Sequence, residues 1–212
     1  MPALQLRKLK NVLCLGAHSD DIEIGCGGTL LRLAVENPEL KVDWVVFTAA
    51  GDRQAEAERS ANDLLGHGVK SMLRFGSFRE SYFPSEWEKI KDFIGAIRRE
   101  TEPDIVFTHF RDDRHQDHRV ISDLAWNAFR NHLILEYEIP KWDGDLGHPN
   151  CYVPLSPALV DRKVGILMRH FKSQQTKHWF NEELFRGLMR IRGAECAQQY
   201  AEAFHGRKMI LG

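Results

Sequence analysis

Two short segments hold most of the residues able to do chemistry: Ala17-His18-Ser19-Asp20-Asp21 and His115-Gln116-Asp117-His118. Together they offer up to three imidazoles and three carboxylates. Taken singly, each has an ordinary reading. An Asp before a helix is an N-cap, and a loop histidine is more often a satisfied polar group than a ligand. Taken jointly they do not reduce to capping, because packing adjacent carboxylates where histidines converge is costly without a cation. Two neutral imidazoles and one carboxylate, with a fourth position left to water, is a recurring catalytic zinc arrangement. The same donor set suits iron(II) (Fe2+). A helix N-terminus carries partial positive charge, which disfavours a protonated His118 and leaves it ready to bind metal. A spare carboxylate beside the metal's water is what a general base needs.

For the two segments to meet, the chain must bring distant loops together. Short apolar runs at 11–17, 42–48, 71–75, 104–108 and 133–138 read as strands. Stretches with helical spacing lie between them, at 24–36, 52–65, 85–100 and 117–131. Strands alternating with helices imply a mostly parallel sheet covered on both faces. Right-handed crossovers and the common strand order 3-2-1-4-5 make strands one and four neighbours. Both reactive segments follow those strands, so they would flank the crevice where open α/β sheets bind ligands. Residues 140–157 read as a long loop rich in turn residues, with a short strand at 151–155, and helices are expected near 158–171 and 181–203. The expected class is α/β: a Rossmann-like open, mostly parallel sheet with helices on both faces. It forms a single domain over 1–212 with a C-terminal loop and helices.

The totals narrow the partners. Lys and Arg number 29 and Asp and Glu 30, a formal charge of -1, which gives no support for nucleic-acid or membrane binding. The stretch from Asp161 is more basic, with Arg162, Lys163, Arg169, Lys172, Arg186, Arg190 and Arg192, and reads as a solvated helical face. Cys14, Cys26, Cys151 and Cys196 form no CxxC pair, which fits reduced thiols in a cytoplasmic protein. Residues 1–10 are polar and basic, and the apolar run behind them is too short for a signal-peptide core or a membrane span.

The motifs resemble a known family. Ala-His-Pro-Asp-Asp followed later by His-x-Asp-His marks the LmbE-like or PIG-L-like N-acetylglucosaminyl deacetylases, here closest to the bacterial glucosaminyl-malate deacetylase branch. The resemblance extends to Gly25-Cys26-Gly27-Gly28-Thr29, Thr48-Ala49-Ala50-Gly51-Asp52-Arg53, Pro149-Asn150 and Ala201-Glu202-Ala203-Phe204. It implies that His18, Asp21 and His118 bind zinc and that Asp20 is the general base. It implies that His115 stabilises the oxyanion and protonates the departing amine, and that Asp117 orients a histidine. Arg53 matches a position that faces substrate. The implied partner is a small-molecule N-acetylated amino sugar or conjugate, and a homo-oligomer is possible. Two departures stand out: Ser19 replaces the usual proline, and Ile22 stands where many relatives have Glu. Neither removes an implied ligand.

Three other readings compete. A dinucleotide-binding protein lacks support, since the turn after the first strand has no G-x-G-x-x-G and two acidic residues there would repel a pyrophosphate. Another metal-dependent hydrolase, a phosphoesterase or other amidase, is the nearer rival; with one metal it would use the same ligands, and with two it would need more. Asp112 and Asp113 could supply them but read as solvated loop acids. A sugar-binding protein without catalysis would not need Asp20. Among other residues, His109 reads equally as pocket lining or as a buried structural histidine. His67, His132, His170, His178 and His205 read as surface or helix-end groups, and Trp87, Trp126 and Trp179 as core. Trp142, His148 and Asn150 are candidate substrate contacts.

Overall fold

The computed structural model describes residues 9–66 and 68–210. Most of the basic N-terminal stretch, His67 and the last two residues lie outside them. The elements run β1 (Asn11–Gly16), α1 (Asp21–Glu36), β2 (Lys41–Val46), α2 (Asp52–Leu65), β3 (Lys70–Phe75), α3 (Trp87–Glu100), β4 (Ile105–His109), α4 (Gln116–Ala128), β5 (Leu133–Tyr137), β6 (Cys151–Leu155), α5 (Pro157–His170), α6 (Glu182–Glu195) and β7 (Tyr200–Gly206).

One seven-stranded sheet has the order β3-β2-β1-β4-β5-β7-β6. Its first five strands are parallel, as expected, with Val12 opposite both Val42 and Ile105. Alternating residues of β1 feed two cores. Val12 and Cys14 join the layer under α1, α2, α5 and α6, while Leu13 and Leu15 join the layer under α3 and α4. Burial of both faces is why these strands read as unbroken apolar runs.

The C-terminal expectation needs correction. The helix expected over 181–203 stops at Glu195, and the chain returns as β7, antiparallel to both β5 and β6. Ala197 sits at φ 60, a left-handed turn that breaks the helix before the strand begins. Ala201, Ala203 and Phe204 are buried in it, and so is Glu202.

Glu202 explains how β7 bears on the site. It accepts the N–H groups of Gly28 and Thr29 on α1 at 2.7 and 2.6 Å. Lys163 on α5 bonds Glu202 and the Ile24 carbonyl, each at 2.6 Å. A buried ion pair thus reaches into the middle of α1 and fixes the helix whose first turn carries Asp21. Two glycines permit this close packing. A Cβ on Gly25 would lie 2.2 Å from the Tyr137 ring, and one on Gly28 would lie 2.5 Å from Leu155 and 2.9 Å from Glu202. The basic C-terminal stretch is therefore not uniformly a solvated face: Lys163 and Arg192 are buried, Arg192 against Glu138.

Candidate active site

The loops leaving β1 and β4 meet where the strand order reverses. His18, Ser19 and Asp20 fill the first, and Asp20 occupies the N-cap position of α1 without its carboxylate capping the helix. In the second, His115 is the N-cap of α4, its Nδ1 accepting the Asp117 N–H at 3.2 Å. His18, Asp20, Asp21, His115 and His118 share a cleft of about 160 Å³ with Arg53, Glu80, Lys141, Trp142, Lys177 and Trp179. At about 30 Å³ per water, that space exceeds a few solvent molecules. A smaller cavity of about 20 Å³ lies by Lys163, Arg192 and Glu202 and holds none of these residues.

Three donor atoms face one another. His18 Nδ1 lies 3.1 Å from His118 Nε2 and 3.3 Å from Asp21 Oδ2, and His118 Nε2 lies 3.6 Å from the same oxygen. Bonds of about 2.0–2.1 Å at tetrahedral angles set ligand atoms roughly 3.3 Å apart, so the triad has the spacing of a zinc site. Two further groups among the described residues also have donor atoms mutually within 4.8 Å, neither holding the whole triad: His18, His115 and His118, and Asp21, His109 and His118.

Each imidazole is oriented from behind. His18 Nε2 lies 3.2 Å from Asp117 Oδ2, and the Asp117 carboxylate also accepts the N–H groups of Ser81 and Phe83 at 2.6 and 3.1 Å. His118 Nδ1 lies 2.9 Å from Asp113 Oδ2. These bonds leave His18 Nδ1 and His118 Nε2 facing Asp21. His115, with its Nδ1 accepting, keeps the neutral ring's proton on Nε2.

The electrostatics fit a cation. Burial opposes the charge on His18, but the Asp21 charge and the bonds to Asp117 and Asp21 outweigh it and lift the imidazole to about 10. Burial would raise Asp21, yet the charges of His118, His109 and His18 hold it well below the carboxylate range. The carboxylates thus demand positive charge, and a divalent ion can take the place of the His18 proton. Burial and the charge of His109 drop His118 to about 3, leaving it neutral. Burial and the neighbouring Asp21 charge raise Asp20 to about 6, against Arg53, His18 and Lys177. Burial and the His18 charge lower His115.

The sequence-named residues therefore come together. Arg53 donates to Ser19 Oγ at 3.3 Å and pairs with Glu80 at 2.5 Å, so the serine in the proline position gives the arginine an anchor. His109 is fully buried. Its Nε2 accepts the Ala17 N–H at 2.9 Å and its ring stacks on His118 at 3.9 Å. Other readings change. Asp113 is no solvated loop acid but 2% exposed behind His118, whereas Asp112 is exposed. Trp87 is 38% exposed rather than core, whereas Trp179 packs against the core as expected and also lines the cleft. Asn150 exchanges both amide bonds with Gly206 and is spent holding β7, not facing the cleft. Glu80, Lys141 and Lys177 were not anticipated. They reach the cleft from other loops and carry no local motif.

The model of the PIG-L family, described as GlcNAc-PI de-N-acetylase, matches residues 13–129. The uncharacterized deacetylase YaiS of Escherichia coli (strain K12) is 34% identical over 150 residues, 63% of this chain and 76% of its own. Diacetylchitobiose deacetylase of Thermococcus kodakarensis is 30% identical over 135 residues, 57% of this chain and 49% of its own, so the chain spans about half of that relative. The structure of N,N'-diacetylchitobiose deacetylase from Pyrococcus horikoshii superposes with a TM-score of 0.73 at 24% identity, over 94% of this chain and 84% of that one. That last likeness is one of fold. With more than half of its length matched by the family model, the chain belongs to the PIG-L family of deacetylases.

Proposed function

We propose that the protein hydrolyses the N-acetyl group of an N-acetylglucosamine-type amino sugar or its conjugate, releasing acetate and the free amine. The observation that carries the reading is the mutual 3.1–3.6 Å spacing of His18 Nδ1, Asp21 Oδ2 and His118 Nε2, with the unspent carboxylate of Asp20 lining the same cleft. The names of the relatives support the substrate class. His18, Asp21 and His118 would hold zinc, with iron(II) suited to the same donors. When bound there, the metal would polarise the acyl carbonyl and activate a water. Asp20, raised to about 6, takes the proton from the attacking water. Neutral His115 hydrogen-bonds the developing oxyanion through its Nε2–H, and the proton that Asp20 takes from water passes on to the leaving amine, which departs badly unless protonated. Asp117 holds His18 in place, and Arg53, anchored by Ser19 and Glu80, contacts the sugar. Four free cysteines support a reducing, cytoplasmic setting. None of the described helices is long and apolar enough to cross a membrane.

The test is metal analysis of the purified protein joined to amine release from free, nucleotide-linked and malate-linked N-acetylglucosamine. One zinc per chain and an amine signal lost on chelation are expected. Bound zinc with no amine from any probe would overturn the catalytic reading, and absence of metal would overturn the ligand set.

A further inference from the structure

Behind His118 lies a layer of buried charge that the steps above do not use. Asp113 Oδ2 meets His118 Nδ1, while Asp113 Oδ1 accepts the His115 N–H at 2.7 Å and lies 3.0 Å from Lys141 Nζ. Lys141 also bonds Asp145 Oδ2 at 2.7 Å, and the same oxygen accepts the Arg114 N–H at 2.7 Å. The side chains of Lys141, Asp113 and Asp145 are each at most 6% exposed. One ammonium therefore clamps the loop after β5 onto the loop that carries His115 and His118.

Two buried carboxylates share this single ammonium. Without it, Asp113 would keep only the His118 ring and the His115 N–H, and Asp145 only the Arg114 N–H, and a buried charge holds its geometry poorly once its ionic partner is gone. Asp113 would turn away from His118. His118 would then lose the acceptor that keeps its own proton on Nδ1. Partners behind a metal-binding histidine set both its tautomer and its ring orientation.

We propose that Lys141 and Asp113 act as a positioning pair for the site: Lys141 fixes Asp113, and Asp113 fixes His118 with the Nε2 lone pair turned toward His18 and Asp21. The zinc part of this inference rests on the ligand assignment above, whereas the orientation of His118 does not.

The test uses two readouts on wild type, Lys141→Met and Lys141→Arg. One is the zinc dissociation constant from chelator competition. The other is the ring tautomer of His118 in metal-free protein, from ¹H–¹⁵N spectra of the histidine side chains. Wild-type His118 is expected in the Nδ1–H form. Lys141→Met is expected to mix the tautomers and weaken zinc by about 10–100-fold. Lys141→Arg, which keeps the charge, should recover most of both. If Lys141→Met does not fold, Lys141→Gln gives the same comparison with a neutral donor. A merely structural lysine would lower the unfolding temperature and leave tautomer and zinc constant within about twofold of wild type, which overturns the proposal. Equal losses in the Met and Arg variants overturn the role of the ammonium. If wild type binds no zinc yet the His118 tautomer responds to the substitution, the positioning pair stands and the zinc assignment falls. If zinc binds equally well with and without Lys141, the pair falls and that reading stands.

Discussion

Asp20 and Asp21 are neighbours in sequence with the same side chain, yet the fold gives them opposite surroundings. Asp21 receives the backbone N–H of His18 at 2.6 Å and faces the rings of His18, His109 and His118, which keep it ionised. Asp20 keeps its carboxylate toward the cleft, and burial beside Asp21 raises it to about 6. A group that must take a proton is better placed near the operating pH than far below it. Asp20→Asn should therefore leave zinc stoichiometry unchanged while lowering kcat by about 10²-fold or more. Metal analysis and amine release on the same preparation check this, and turnover near the wild-type rate would remove Asp20 from the base role. The six residues of the two motifs were legible because each motif is contiguous and its elements are strongly patterned. Asp113 was not. Nothing in Arg111-Asp112-Asp113-Arg114 separates the exposed acid from the buried one, since that difference is made by Lys141 arriving from another loop.

At the scale of elements, the parallel half of the sheet was readable and the antiparallel end was not. Strands β1 to β5 are apolar runs separated by amphipathic helices, a pattern with few topological solutions. Strand β7 opens Tyr-Ala-Glu-Ala and carries the buried Glu202, so its local signal resembles the tail of α6. Only the Lys163 ammonium and the α1 amides make a strand with a buried acid stable there. Removing one partner of a buried pair strands the other, at a cost of about 3–5 kcal/mol. Lys163→Met should show that loss in urea unfolding, and a change below about 1 kcal/mol would mean that the Gly28 and Thr29 amides alone satisfy Glu202. A more exposed tie joins α2 to α5. Bonding from His170, and the Arg169 charge, hold the Asp63 carboxyl below its ordinary value. A carboxyl depressed in the folded state stabilises above its unfolded value, near 3.9, and that stability is lost as pH falls through the folded value. The urea midpoint of wild type should thus fall more steeply below about pH 4 than that of Asp63→Asn. Parallel curves for the two proteins would show that the tie contributes nothing measurable.

For the whole molecule, the site sits at the one place where the chain's two crossover directions part. His18 and Asp21 come from the β1 side and His118 from the β4 side, and between the loops the protein supplies more negative charge than it can neutralise without protonating His18. In the metal-free state the protonated His18 meets that demand, and an ion bound across the two loops takes the place of its proton. A ligand that binds only the folded chain stabilises it by about 2.7 kcal/mol at one hundred times its dissociation constant. In a domain of this size that corresponds to roughly 5–10 °C in Tm. Thermal unfolding with zinc and with chelator should differ by that amount in wild type. Asp20→Asn should keep the full shift, because the base is not a ligand, whereas His118→Ala should lose most of it. A wild-type Tm indifferent to zinc would mean that the triad's 3.1–3.6 Å spacing serves a hydrogen-bond network rather than an ion. Loss of the shift in Asp20→Asn would move Asp20 from the base into the ligand set.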